Sequence, residues 1–169
     1  MKEIDKVTFQ GNPLTLIGDN ELKVADKLPK GLVLIANDLS AVELDKVEGA
    51  KIITTFPSID TPVCDMQVKK FNENASDMGA KVFAVSADLP FAQARWCAAS
   101  GVKNLSVVSD HASMNLANAF GIHIKELRLF ARTVFVLNAE NEIVYREIVK
   151  EVTSQPDFDA ALRAVKDIA

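Results

Sequence analysis

The stretch Lys51-Ile52-Ile53-Thr54-Thr55-Phe56-Pro57-Ser58-Ile59-Asp60-Thr61-Pro62-Val63-Cys64 decides how this chain folds. Its first half is rich in β-branched and aromatic side chains and stops at Pro57, the composition of a buried strand. From residue 62 to residue 77 the pattern becomes helical. Val68, Phe71 and Ala75 recur at spacings of three and four, one face of a helix. Four residues back along that face stands Cys64. A strand therefore feeds a helix, with a thiol in the helix's first turn.

Working outward, residues 81–87 (KVFAVSA) form a second strand. Pro90 opens a helix over 90–99, since proline is tolerated in a first turn. Residues 105–109 form a third strand, and 112–120 a third helix ending at Gly121. Residues 132–137 and 143–149 flank the polar turn Asn138-Ala139-Glu140-Asn141 and form an antiparallel hairpin. Pro156 opens a last helix with Phe158, Leu162 and Val165 on one face. Upstream, residues 7–17 surround Gly11-Asn12-Pro13 and give a further hairpin. Alternating strands and helices predict a parallel segment, and the closing hairpin adds antiparallel strands. That order is an α/β, thioredoxin-like fold: a central mixed sheet flanked by helices, with an added N-terminal β-hairpin. At about 150 residues per domain, residues 1–169 make one domain.

Composition narrows the function. The chain has 23 acidic and 19 basic residues, a net charge of −4, which argues against nucleic-acid binding. The N-terminus MKEIDKVTFQ has no apolar signal core, and no stretch approaches a membrane span. The expected address is the reducing cytoplasm. There, cysteines serve redox catalysis or metal binding more often than structural disulfides. Only two cysteines occur, Cys64 and Cys97.

At Cys64, unpaired N–H groups and the positive dipole end of a helix favour a thiolate, the form in which cysteine is a nucleophile. Ionisation alone raises a thiol's reactivity at neutral pH by at most about 30-fold, so an efficient enzyme needs further groups. Thr61, three residues earlier, can orient sulfur or substrate with its hydroxyl. The same residues also fit a buried cysteine on an apolar helix face, with Thr61 as a simple cap. Cys97 likewise fits plain packing beside Trp96 in an alanine-rich helix.

Pro57, Thr61 and Cys64 match the P-x-x-x-T-x-x-C motif of the peroxiredoxins. The longer strings FPSIDTPVC and SADLPFAQARWC resemble those of the atypical two-cysteine, bacterial thiol peroxidase branch of that family. The likeness runs from FQGNP near residue 10 to the QPDFDAAL region. It implies that Cys64 is the peroxidatic cysteine, attacking hydrogen peroxide or organic hydroperoxides, and that Cys97 resolves the resulting sulfenic acid as an intrachain disulfide. Thioredoxin as reductant and a homodimer are implied in the same way. The family also needs an arginine beside the sulfur, and Arg132 in LFARTVFVL matches it. Topology agrees. A strand starting at Arg132 and antiparallel to the one ending near Phe56 brings the arginine to Cys64, where a guanidinium favours thiolate and the departing oxygen. A surface arginine at a strand end is the alternative. Residues 124–130 lack glycine and carry two bulky side chains where some members are glycine-rich, which leaves the entrance loop open.

A disulfide needs Cα atoms about 4.4–6.8 Å apart. Packed helices run about 8–10 Å between axes. One or both cysteine-bearing turns are therefore expected to unwind when the bridge closes. Leu89, Pro90 and Phe91 are candidate substrate or dimer contacts, or plain helix packing. His111 and His123 lack zinc spacing and are expected on polar surface or loops. Asp60 is expected to point away from the sulfur. No nucleotide-binding glycine motif occurs, and a thiol peroxidase needs no metal, haem or flavin. A thioredoxin-like disulfide oxidoreductase would want C-x-x-C, where this chain has Thr61-Pro62-Val63-Cys64. A non-catalytic redox sensor is the third reading.

Overall fold

Lys51–Thr55 is buried along its whole length because layers cover both faces of its sheet. The computed structural model describes residues 1–75 and 77–168, Ala75 by its backbone alone. The helix-face position expected at Ala75 therefore lies outside the described side chains. Among the described residues the elements run β1 (Lys2–Phe9), β2 (Asn12–Gly18), β3 (Val33–Ile35), β4 (Ala41–Glu43), β5 (Lys51–Thr55), α1 (Pro62–Ala75), β6 (Lys81–Ser86), α2 (Pro90–Ser100), β7 (Ser106–Ser109), α3 (Asn115–Phe120), β8 (His123–Ile124), β9 (Leu129–Phe130), β10 (Thr133–Leu137), β11 (Ile143–Ile148) and α4 (Phe158–Ile168).

The central sheet has the order β11-β10-β5-β6-β7-β3-β4. Strands β5, β6 and β7 are mutually parallel, as strand–helix alternation demands. Strand β10 is antiparallel to both β5 and β11. Successive side chains of a strand point to opposite faces, and each face has its own core. Ile52, Val82, Val134 and Val136 pack with Phe71 of α1 and Ala161 and Val165 of α4. Phe71 and Phe158 meet edge to face at 5.1 Å. Ala84 and Val107 extend this face under α1 and α2. On the other face Ile53, Phe83, Val85, Val108 and Phe135 pack with α3 and with β2 and β8 of a smaller β1-β2-β8-β9 sheet. This is the mixed α/β, thioredoxin-like architecture with an N-terminal hairpin.

Several boundaries differ from the sequence reading, each for a local reason. The first hairpin turns at Gln10-Gly11, both at positive φ, so Asn12 and Pro13 already belong to β2. Two-residue hairpin turns of this hand need positive φ at both positions. Helix α3 starts at Asn115, later than 112, because the Asp110 carboxylate accepts from the Leu116 and Ala117 N–H groups and sets the start of the helix there. Helix α4 starts at Phe158 because Asp157 caps it, accepting from Ala160 N at 3.0 Å; Pro156 lies just outside. The short strands β3, β4, β8 and β9 carry too few residues to show a period and went unread.

Gly18 marks a close approach. A Cβ there would lie 2.4 Å from Gly121 Cα and 2.6 Å from the Asn118 carbonyl oxygen. The missing side chains at Gly18 and Gly121 let the hairpin dock on the end of α3.

Candidate active site

The loop joining β5 to α1 is held by one carboxylate. Asp88 accepts from Ser58 Oγ at 2.7 Å and from Ile59 N at 2.8 Å, and Ser86 Oγ donates to it at 2.6 Å. The loop is thereby tied to the end of β6. Thr61 then caps α1. Its carbonyl accepts from Asp65 N at 3.0 Å, while its own N–H and hydroxyl both donate to the Ser58 carbonyl. The hydroxyl therefore bonds the backbone turn, not the sulfur. Asp60 is exposed, as expected.

Cys64 stands in the first turn of α1, fully buried among Phe56, Ile59, Val68, Ala84 and Val107. Arg132 lies immediately before β10, and the pairing Thr133↔Thr55 puts it against the end of β5. Its Nη2 donates to Cys64 Sγ at 3.4 Å. Nη1 donates to Gln67 Oε1 at 2.6 Å and Nε to the Val152 carbonyl at 2.8 Å, so all three guanidinium nitrogens are engaged. Gln67 Nε2 in turn donates to Thr54 Oγ1 at 2.6 Å and the Thr55 carbonyl at 3.2 Å. Thr55 Oγ1 donates to the Ala131 carbonyl at 2.7 Å. Arg132 is only 2% exposed, and among the described residues no carboxylate pairs with it. A buried, unpaired cation is costly, and negative charge arising on the adjacent sulfur offsets that cost.

A pocket of about 540 Å³ opens over this point. Pro57, Thr61, Val63 and Arg132 line it, together with Leu127 of the β8–β9 loop and Leu129 of β9. That loop closes without glycine because Arg128 itself adopts φ 51°. Phe9 and Leu14 of the N-terminal hairpin form the outer wall. Asn12, Ser58, Thr61, Arg132 and Thr153 contribute to the lining, yet the surface they and their neighbours expose to the pocket is almost wholly apolar, a surface that receives carbon chains.

Cys97 sits in the last turns of α2, half-buried against the same apolar cluster as Cys64. Both cysteines are free thiols. Burial pushes the Cys97 thiol above its ordinary value, partly offset by a hydrogen bond with Asn37. The neighbouring Trp96 donates from Nε1 to Asp65 Oδ1 at 2.7 Å, linking the residue before Cys97 to the residue after Cys64. Leu89 and Phe91 stand free of the core, Phe91 67% exposed. His111 is in a loop beside Ser109, but His123 is buried in β8, its Nδ1 2.8 Å from Asn118 Oδ1. The expected surface or loop position holds for His111 and fails for His123. Its backbone pairs with Ile17 on one side and Phe130 on the other, which sets it in an interior strand of the small sheet.

A thiol, an arginine and a threonine at one strand–helix junction occur on this fold for more than one purpose, so relatives decide the matter. The Redoxin family model matches residues 23–162. A thiol peroxidase of Halalkalibacterium halodurans is 52% identical over 95% of this chain and 96% of its own length. The chain belongs to the redoxins, among the thiol peroxidases. The thiol peroxidase of Bacillus subtilis is 47% identical over 95% of this chain and 96% of its own. A peroxiredoxin-like protein from Aquifex aeolicus has a crystal structure that superposes with a TM-score of 0.92 at 36% identity, covering all of both chains. Membership of this group makes the chain a thiol-dependent peroxidase of the peroxiredoxin type.

Two members of the site escaped the sequence reading. Gln67 is a polar residue beside the apolar stripe of α1, three after Cys64, and that interruption was its signal. Asp88 sits between Ser86 and Pro90 in a loop, where an aspartate reads as turn chemistry.

Proposed function

We propose that Cys64 is the peroxidatic residue of this peroxidase and Cys97 its resolving partner on the same chain. The Cys64 thiolate attacks one oxygen of ROOH. The S–O bond forms as the O–O bond breaks, leaving Cys64 as a sulfenic acid and releasing alkoxide, which takes a proton to become ROH. Arg132 stabilises the thiolate and the oxygen on which charge develops. Thr61 supports the site by shaping the first turn of α1, and Pro57 by ending β5 and walling the pocket. The Cys97 thiol then attacks the sulfenic sulfur, forming the disulfide and releasing water. A dithiol of the thioredoxin type restores both thiols by exchange and leaves oxidised itself. The buried contact between Cys64 Sγ and Nη2 of Arg132, an arginine that itself lines an apolar pocket, carries this reading.

The reading also takes the chain as one domain acting in the cytoplasm as a homodimer, with Leu89 and Phe91 as exposed apolar contacts for a second copy. No described helix is long and apolar enough to cross a membrane. Turnover of hydrogen peroxide and cumene hydroperoxide, coupled to thioredoxin and its reductase, tests the scheme. Cys64→Ser loses activity. Cys97→Ser reacts once with peroxide and then accumulates sulfenic or sulfinic acid by mass spectrometry. A Cys97→Ser variant that recycles like the parent removes the two-cysteine scheme.

A further inference from the structure

Near its turn, the hairpin wall of the pocket is tied to the segment around Val152 by the side chain of Glu151. The carboxylate takes four donors from two separate segments. Oε1 accepts from Thr8 Oγ1 at 3.0 Å and from Gly11 N at 2.9 Å, both in the N-terminal hairpin. Oε2 accepts from Thr153 N at 2.9 Å and Thr153 Oγ1 at 2.7 Å, beside Val152. Backbone bonds run alongside: Thr8 N donates to the Lys150 carbonyl at 2.7 Å and Val152 N to the Thr8 carbonyl at 2.8 Å. The Val152 carbonyl is the one that receives Arg132 Nε. That carbonyl is held by the backbone pairing of Val152 with Thr8, whereas the carboxylate bonds Thr8, Gly11 and Thr153 and leaves the arginine's own contacts in place.

Phe9 flanks Thr8, and Asn12 and Leu14 follow the Gly11 turn; all three line the pocket. At Gln10-Gly11 itself, Glu151 is the side chain from outside the hairpin that bonds the turn among the described residues; farther from the turn, Lys150 pairs with Asp5 and Glu126 accepts from Thr15 N at 2.9 Å. Charge-assisted bonds to backbone N–H are the strong kind, so the carboxylate sets where the apolar wall stands.

We propose that Glu151 is a positioning residue for substrate selection: by clamping the β1–β2 hairpin it fixes the outer apolar wall against which the organic group of a bulky hydroperoxide packs. Hydrogen peroxide has no such group and does not need the wall. The inference rests on the assignment of Cys64 and its pocket made above. Loss of the clamp therefore weakens binding of large substrates while the chemistry at sulfur continues.

The test measures KM and kcat for cumene hydroperoxide and for hydrogen peroxide in Glu151→Ala, Glu151→Gln and Leu14→Ala, with Cys64→Ser alongside. Glu151→Ala is expected to raise KM for cumene hydroperoxide by about 5–20-fold, the scale of lost apolar pocket contacts, with hydrogen peroxide turnover unchanged within about twofold. Leu14→Ala, which shortens the wall and leaves the clamp, should shift the same ratio. Glu151→Gln keeps an acceptor for Thr8 and Gly11 and should fall between, and it carries the test if the alanine variant does not fold. Equal losses with both substrates, or an unchanged ratio in Glu151→Gln and Glu151→Ala alike, overturn the proposal. Retained activity in Cys64→Ser would overturn the site assignment instead.

Discussion

Arg132 has three jobs for three nitrogens, and a lysine or an apolar side chain cannot do them together. A lysine presents one point charge where the site needs a planar fork reaching Gln67, Val152 and Cys64. Arg132→Met should slow Cys64 oxidation by about 10²–10³-fold, the usual loss when one charge-stabilising donor is removed. Stopped-flow oxidation with hydrogen peroxide measures it, and a loss under tenfold would assign the sulfur's reactivity elsewhere. Cys97 gives a second test at this scale. Its thiol is pushed above the ordinary value of 9.0, first by burial. The protonated form therefore dominates at neutral pH. Disulfide closure should accelerate by about tenfold per pH unit as the thiolate fraction grows, provided Cys97 attacks from this setting. Rapid-quench mass spectrometry reads that slope, and a closure rate flat with pH near neutrality rules out thiolate attack from the buried position.

Elements are positioned by a few side chains at their ends. Asp110 begins α3, buried, with Oδ2 on two backbone N–H groups and Oδ1 without a protein partner. Burial outweighs those bonds and raises its carboxyl from 3.8 to about 6. The folded state then holds this proton more tightly than the unfolded chain does. The contribution of this group to stability is greatest at low pH, declines as pH rises through the unfolded value, and is gone above the folded one. The Tm of the parent relative to Asp110→Asn should therefore fall between about pH 4 and pH 6 and level off above. A difference that rises with pH would show the carboxylate to be better stabilised in the fold than in water. Gly18 tests the docking of the hairpin on α3. A methyl group there meets backbone on both sides. Gly18→Ala should cost about 1–3 kcal/mol in urea unfolding, as overpacking does. A neutral result would show that the hairpin can shift without penalty.

At the scale of the whole molecule, the proposed disulfide requires two thiols on one face of the sheet to meet. Cys64 and Cys97 border a common apolar cluster, yet each is built into its own helix and both are free. The bond from Trp96 to Asp65 spans the two helices beside the cysteines. Unwinding of either turn must disturb it. Trp96 is the single tryptophan, so its fluorescence reports on this contact alone. Oxidation by one equivalent of peroxide should change its emission in step with disulfide formation, and Cys97→Ser should lose that phase. Superimposable helices around both cysteines in reduced and oxidised crystals would remove the unwinding.

The sequence by itself determined the β-α-β order, the mixed sheet and the thiol in the first turn of a helix. These follow from side-chain periodicity and from what proline and glycine permit, which are local properties. It also carried the motif by which Pro57, Thr61, Cys64 and Arg132 resemble a family. Only the tertiary structure decided what each group touches. Thr61 turned out to bond the Ser58 carbonyl, and Gln67 to hold Arg132, because hydrogen-bond partners are chosen by distances across β5, α1 and β10 that no single segment encodes. His123 was misjudged for the same reason: burial depends on the strands that flank a residue. The hairpin read near residue 10 lines the apolar pocket and is bonded by Glu151, 140 residues later in the chain than the Gly11 amide it accepts from. Local sequence sets which elements form; long-range packing sets which of their side chains share a site.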